Sequence, residues 1–442
     1  MINTIDPFSK HGPAFHFLYL CRMKPDEVFD IYRLPNGMRI IHRRIKAAVA
    51  HAGIIIEAGC RHERKEEHGL AHFIEHCLFK GTETKTAFQV FSHLEDVGGE
   101  LNAYTAREET FIYASFLPTY YDRALDIFED ILLHSIFPEK ELKKEKQVIL
   151  EEINSYKDNP YEMIYDDFDE RIFRHHPLGR NILGTEKALA TFNREKIDEF
   201  MSRCYQPENM VFCSVGDIAG QQLYKKILAC FTQKSLRSVV HNSEISSVDL
   251  FPVESYQAFT KKIKKRIFQT HCVVGNIAYN HSDPGRLPFA LLVNLLGGPA
   301  MSSRLNMSIR ERHGYAYQVE SMYSPFEETG IFTTYLGTDQ NKLERSLELL
   351  HKEFNKVCSK KLSALQLNNA KQQYIGQVAI NLEINLNQML SMGKSYLVYD
   401  KVDTFKEIVR KVEKISALDL MGVANEVLSP HRLSMLAYQS GE

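Results

Sequence analysis

The chain has 442 residues, 44% of them hydrophobic and 25% charged, enough for two or more domains with sizeable cores. Its formal net charge of −2 excludes the basic footprint of a nucleic-acid or anionic-membrane binder. No run reaches the ~18 apolar residues of a membrane span. Eight cysteines scattered without a C-x-x-C pair fit reduced core thiols, so a cytoplasmic protein is expected.

Residues 1–24 contain the apolar run Phe15–Cys21. Asp6 and Lys10 lead it and no clear small-residue cleavage site follows, so a loosely ordered tail is expected rather than a signal peptide. Phe29–Leu34 and Met38–Arg43 alternate around Pro35-Asn36-Gly37, a hairpin signal. Val49–Glu57 is apolar enough for a sheet interior. The charged loop Cys60–Glu67 then leads into His68-Gly69-Leu70-Ala71-His72-Phe73-Ile74-Glu75-His76.

If this stretch is helical, steps of about 100° per residue put His72, Glu75 and His76 on one side. Two imidazoles at i and i+4 with a carboxylate between them can address one metal ion. H-x-x-E-H is the inverted form of the zinc-protease motif H-E-x-x-H, where the histidines hold zinc and the glutamate takes a proton from its water. A five-residue match also arises by chance, and a His-rich helix is often plain surface or core, so a third ligand is needed. Gly69 makes His68 a helix-start residue rather than a ligand. Cys77, about 100° beyond His76, points away.

Ala87–Val97 reads as a helix closed by Gly98-Gly99, Glu100–Phe116 as two strands around a turn, and Thr119–Ser135 as a helix. Glu139–Tyr156, between Pro138 and Asn159-Pro160, is a further helix with the stripe Leu142, Ile149, Ile153 and Tyr156. Measured from Ile149, Glu145 lies near about −40° and Glu152 near about −60°, whereas Glu151 falls about 200° round on the solvated face. A carboxylate beside a buried stripe needs a partner or a cation, which makes Glu152 the better third ligand. Glu145, on the same face, either orients a ligand histidine or pairs with a lysine. Asp166, Asp167, Asp169 and Glu170 read as a solvated acidic face. Met210–Gly216 closes the first domain as a strand, and the Ser-, Lys- and Asp-rich residues 232–254 read as a linker.

The pattern then repeats. A strand (Thr270–Tyr279), an apolar helix (Leu287–Leu296), a helix (Arg304–Arg312), two strands (Ala316–Tyr323, Gly330–Leu336) and a helix (Leu343–Cys358) follow in order, and Arg432–Tyr438 is a final strand. The helix matching the histidine helix reads Arg286-Leu287-Pro288-Phe289-Ala290-Leu291-Leu292, with no metal motif.

His72-Phe73-Ile74-Glu75-His76, with Glu152 a further 76 residues on and Glu145 seven before it, resembles the pitrilysin (M16) family of zinc peptidases. The arrangement is most similar to the short bacterial members and the β subunit of mitochondrial processing peptidase. The resemblance implies His72, His76 and Glu152 as zinc ligands and Glu75 as general base. Asn102-Ala103-Tyr104 resembles the family's active-site edge strand, to which a peptide could add as a strand; for Tyr104 a plain hairpin position is the preferred reading. Ile309–Tyr317 resembles the second-domain motif, implying that Arg310 and Tyr317 face the zinc across a cavity, with Tyr315 a nearby competitor. Arg310 would hold a substrate carbonyl or carboxylate, and Tyr317 would donate to the oxyanion.

The expectation is therefore an α/β (α+β) protein of two related domains, 25–231 and 255–442, each a mainly antiparallel or mixed sheet flanked by helices, closing as a clamshell. It would hydrolyse short or unfolded peptides in the chamber between them, with zinc, or manganese or cobalt in its place. A homodimer is expected, with no nucleic-acid or membrane partner. The alternative is a non-catalytic or partner-dependent subunit of a heterodimeric peptidase.

Overall fold

The computed structural model describes residues 27–231 and 256–441. The tail and the linker expected from the sequence lie outside the described residues. The first half runs β1 (Asp30–Arg33), β2 (Arg39–Arg44), β3 (Ala50–Ile56), α1 (Leu70–Leu78), α2 (Ala87–Glu95), β4 (Glu100–Thr105), β5 (Thr110–Phe116), α3 (Tyr121–Leu133), α4 (Glu139–Lys157), α5 (Pro160–Ile172), α6 (Glu186–Thr191), α7 (Arg194–Cys204), β6 (Met210–Gly216) and α8 (Gly220–Phe231). The second half runs β7 (Thr260–Lys265), β8 (Thr270–Ala278), α9 (Arg286–Gly297), β9 (Ala316–Pro325), β10 (Gly330–Thr338), α10 (Leu343–Ser359), α11 (Ala364–Glu383), α12 (Asn385–Tyr399), α13 (Phe405–Lys414), α14 (Ala417–Val427) and β11 (Ser434–Ser440). The expected helix at Arg304–Arg312 is instead centred on a π-helical turn, Asn306–Glu311.

The first sheet has the order β1-β2-β6-β3-β5-β4 and the second β7-β11-β8-β10-β9. Each is antiparallel except for one parallel pair, β2 with β6 and β7 with β11. From β3 to β6 and from β8 to β11 the two halves follow the same sequence of elements. In each, the second strand in that order lies at a sheet edge: β4 in the first half, β9 in the second.

Strand alternation divides the apolar residues between two faces. On β3, Ile54 and Ile56 join the core formed with α1, α3 and α4, whose members include Phe73, Phe128 and Ile149. Ile55 points to the other face, with Ile41, Phe111, Val211 and Cys213. That face is covered by Met389, Met392 and Tyr396 of α12, a helix of the second half. The exchange is reciprocal. Ile164, Phe168 and Ile172 of α5 pack against Val273, Ile331, Tyr335, Leu436 and Tyr438 of the second sheet.

Two glycines permit these approaches. A Cβ on Gly393 of α12 would stand 2.8 Å from the Cys213 sulfur. One on Gly275 of β8 would overlap the Phe332 carbonyl oxygen and press on the Phe168 ring at 3.0 Å.

The acidic run on α5 is not the solvated face the sequence suggested. Arg107, from the β4–β5 turn, holds Asp166 at 3.1 Å and Asp169 at 2.7 Å. Tyr156 donates to Asp166, and Tyr438 of the second half donates to Asp167. These carboxylates fix α5 in place against both sheets.

Candidate metal centre

Helix α1 starts abruptly because its first turn is clamped. The carboxylate of Glu63 accepts the backbone N–H groups of Gly69 and Ala71, each at 2.9 Å. These are donors that a helix N-terminus leaves without intrahelical partners. Burial pushes the Glu63 carboxyl up to about 8, against the pull of those two N–H groups. Gly69 sits at φ +95°, and a Cβ there would strike Gly184 and the Leu183 carbonyl. Arg180 donates to the Glu63 carbonyl at 2.6 Å, and His68 meets the Asn181 carbonyl at 2.8 Å. His68 is thus turned to the loop. Glu63→Ala leaves two buried donors open and is expected to lower stability by about 1–3 kcal/mol, read as a shift in urea midpoint; an unchanged midpoint would deny Glu63 this role.

One face of α1 carries His72 and His76, and α4 lies against it. His72 Nε2 is 3.8 Å and His76 Nε2 3.7 Å from the same Glu152 oxygen, Oε2. These separations are too long for hydrogen bonds. They suit donors sharing one cation bonded at about 2.0–2.2 Å. Three such donor atoms lie within 4.8 Å of one another. Burial, reinforced by His76 nearby, pulls the His72 imidazole down to about 4, so it is neutral at neutral pH with a lone pair available to a cation. Two imidazoles and a carboxylate make a zinc-type donor set with room for one more ligand.

Glu145 does both things the sequence left open. One oxygen lies 3.3 Å from His76 Nδ1, and the other lies 2.9 Å from the Lys80 ammonium. The glutamate thereby orients the ring whose far nitrogen faces Glu152. Lys80 was not singled out from the sequence; it lies just beyond the C-terminal end of α1. Glu145→Ala is expected to weaken zinc binding about 10–100-fold, measured by competition with a coloured chelator. Unaltered affinity would reduce Glu145 to an ordinary salt bridge.

Glu75 lies beside this cluster. Burial raises its pKa, while a hydrogen bond from Thr105 at the end of β4 and the charge of His76 pull it back. Thr105 is a second contact that sequence periodicity does not show. Asn102 and Ala103 lie on the same edge strand, opposite Tyr113 and Ile112 of β5. Tyr104 turns to the other face, among Phe111 and Tyr113.

Arg310 and Tyr317 are not joined to the metal cluster here. Arg310 lies on the π-helical turn, 3.7 Å from its neighbour Glu311. Tyr317 is 64% exposed on the edge strand β9, and its hydroxyl donates to Asp339 at 3.2 Å. A second acidic group, Glu108, Glu327 and Glu328, stands where the halves meet. It surrounds the Arg61 guanidinium, 2.5 Å from Glu108 and 3.1 Å from Glu327, which already fills the place of a cation.

A two-sheet fold with a histidine pair on one helix and a glutamate from the next is the framework of a metallopeptidase. Residues 39–186 match the model of Insulinase (Peptidase family M16), and residues 191–374 match the Peptidase M16 inactive domain. The chain belongs to peptidase family M16. It is 32% identical to the uncharacterized zinc protease YmxG of Bacillus subtilis over 413 residues, 93% of this chain and 98% of the relative. It is 34% identical to an uncharacterized zinc protease of Rickettsia felis, over 91% and 96% of the two chains. Among solved structures, a protease from Helicobacter pylori superposes with a TM-score of 0.85 at 21% identity, covering 93% of this chain and all of that one. The M16 inactive-domain protein of Pseudomonas fluorescens gives 0.82 at 17% identity, covering 94% and 98%.

Proposed function

We propose that this chain is a zinc-dependent peptidase that hydrolyses short or unfolded peptides between its two halves. The observation that carries this is the convergence of His72, His76 and Glu152 from two helices, with Glu75 beside them and Glu145 behind His76. Zinc held by those three residues would acidify a water and polarise the scissile carbonyl. A substrate strand laid along β4 would place its backbone within reach of Glu75. Glu75 takes the proton from the attacking water and returns it to the leaving amine. Glu145 holds the His76 ring in orientation throughout. Tyr317, bonded to Asp339, and Arg310, beside Glu311, would join the site only by a rearrangement of the second half.

The test is metal content beside cleavage of quenched, unstructured peptides by the purified chain. The expected result is one zinc per chain and cleavage abolished by chelator. Zinc without any cleavage would favour the second reading, a non-catalytic or partner-dependent subunit of a heterodimer. The hydrogen bond of the exposed Tyr317 hydroxyl to Asp339, which engages the group that would donate to the oxyanion, favours that reading. A homodimer is the assembly we propose for the active form, to be checked by sedimentation.

A further inference from the structure

In the second half, α9 and α11 occupy the places in chain order that α1 and α4 hold in the first. Where α1 and α4 hold the metal cluster, a cavity of about 400 Å³ opens between α9, α11 and α12. That size is within the range of small-molecule sites. Its walls include Leu287 of α9 and Val378 and Leu382 of α11.

Three polar groups line this cavity without a hydrogen-bond or ion-pair partner among the described residues. Gln388 is 3% exposed, and its side-chain oxygen makes no hydrogen bond. A buried amide in that state costs stability unless something bonds to it. The Arg286 guanidinium lies over the Tyr399 ring, 4.9 Å from its centroid, and meets no carboxylate. The Tyr374 hydroxyl has no partner either. Burial raises its pKa and the Arg286 charge works against that rise, which puts the two groups in one electrostatic neighbourhood. The acidic groups on the rim each face a cation, although the Glu27 Oε1 atom makes no hydrogen bond. Glu27 accepts the Phe405 N–H and faces Arg43, and Asp403 is paired with Lys401 and Lys411. The uncompensated charge of the cavity is therefore positive.

We propose that this cavity binds a small carboxylate with an apolar body. The carboxylate sits on Arg286 and the Tyr374 hydroxyl, where a planar guanidinium offers two parallel donors. The apolar body lies against Leu287, Val378 and Leu382. A donor beside the carboxylate, as in an N-acyl amino acid or the last residue of a peptide, satisfies Gln388; a fatty acid shares the carboxylate and the body but lacks that donor. The site is independent of the metal centre. It lies at the seam of the two halves, because α12 also covers the first sheet through Met389 and Tyr396.

Titration calorimetry of the whole chain with N-acetyl-leucine, N-acetyl-leucine amide and decanoate tests this. N-acetyl-leucine is expected to bind saturably, and the uncharged amide at least about tenfold more weakly. Decanoate binding more tightly than N-acetyl-leucine would assign the same site to fatty carboxylates and leave Gln388 outside the contact. Arg286→Ala is expected to weaken binding at least about tenfold, with Arg286→Lys between it and the wild type. Leu382→Trp, which fills the cavity, should abolish binding while circular dichroism shows the fold intact. The proposal is overturned if neither carboxylate binds below about 10 mM, if acid and amide bind alike, or if binding survives both Arg286→Ala and Leu382→Trp.

Discussion

Glu75→Gln is expected to cut peptide cleavage by about 10²–10⁴-fold while zinc content stays at the wild-type level. Glu75 is not one of the three converging donors, so its replacement leaves the ligand set whole. The amide keeps the size of the side chain and an oxygen for the Thr105 hydrogen bond. What it loses is the ability to accept a proton. His76→Ala differs in kind: it removes a ligand and should lose zinc and cleavage together. The comparison needs kcat/KM on quenched peptides and metal analysis on the same preparations. Full activity in Glu75→Gln would end the general-base assignment. Zinc lost from Glu75→Gln would mean that this glutamate belongs to the coordination sphere.

The second large effect concerns the exchanged helices. Phe168→Ala is expected to destabilise the whole chain by about 3–5 kcal/mol. The ring is fully buried, on a first-half helix, in a cluster completed by the second sheet. It also fills the space that Gly275 leaves open on β8. Its removal leaves a cavity on the contact between halves, so both halves lose support at once. Urea unfolding followed by far-ultraviolet circular dichroism should show a single transition moved to lower denaturant. Two separate transitions, with only one moved, would show that the halves fold independently and that the exchange is loose.

This interlocking has a consequence for access to the metal. The halves cannot part as free shells, because α5 and α12 would each be stripped from the sheet they cover. The cluster itself is partly open, since the Glu152 side chain is 42% exposed, so a peptide end can approach it without the halves parting.

Much of the metal centre was legible in the chain because its signals are local. A helix repeats every 3.6 residues, so the spacing of His72, Glu75 and His76 alone puts them on one side. The same periodicity separated Glu152 from Glu151; the structure leaves Glu151 exposed and turns Glu152 to the histidines. The strands β8 to β10 and the helices α1 to α4, α9 and α10 were equally readable, since alternation and apolar stripes are properties of short windows. The loop of Gly184 carries no periodic signal in the chain. Its task is to press against Gly69 at the start of α1.

Contacts between residues distant in the chain had no such signature. The carboxylates of α5 looked solvated because their partner is far away in the chain: Arg107, about 60 residues earlier, holds Asp166 and Asp169. A buried ion pair of that kind depends on which loop crosses which helix. The exchange of α5 and α12 between sheets is likewise invisible in periodicity, which says that a face is apolar and not which sheet covers it. The sequence by itself determined that His72, Glu75 and His76 share one side of a helix, that Glu152 and not Glu151 lies beside a buried stripe, and that the pattern of elements repeats, because each rests on the local geometry of a helix or strand. Only the tertiary structure decided the pairing of Glu145 with both His76 and Lys80, the bond of Tyr317 to Asp339, and the interlock of the halves. Those depend on the packing of elements far apart in the chain, and no local period encodes it.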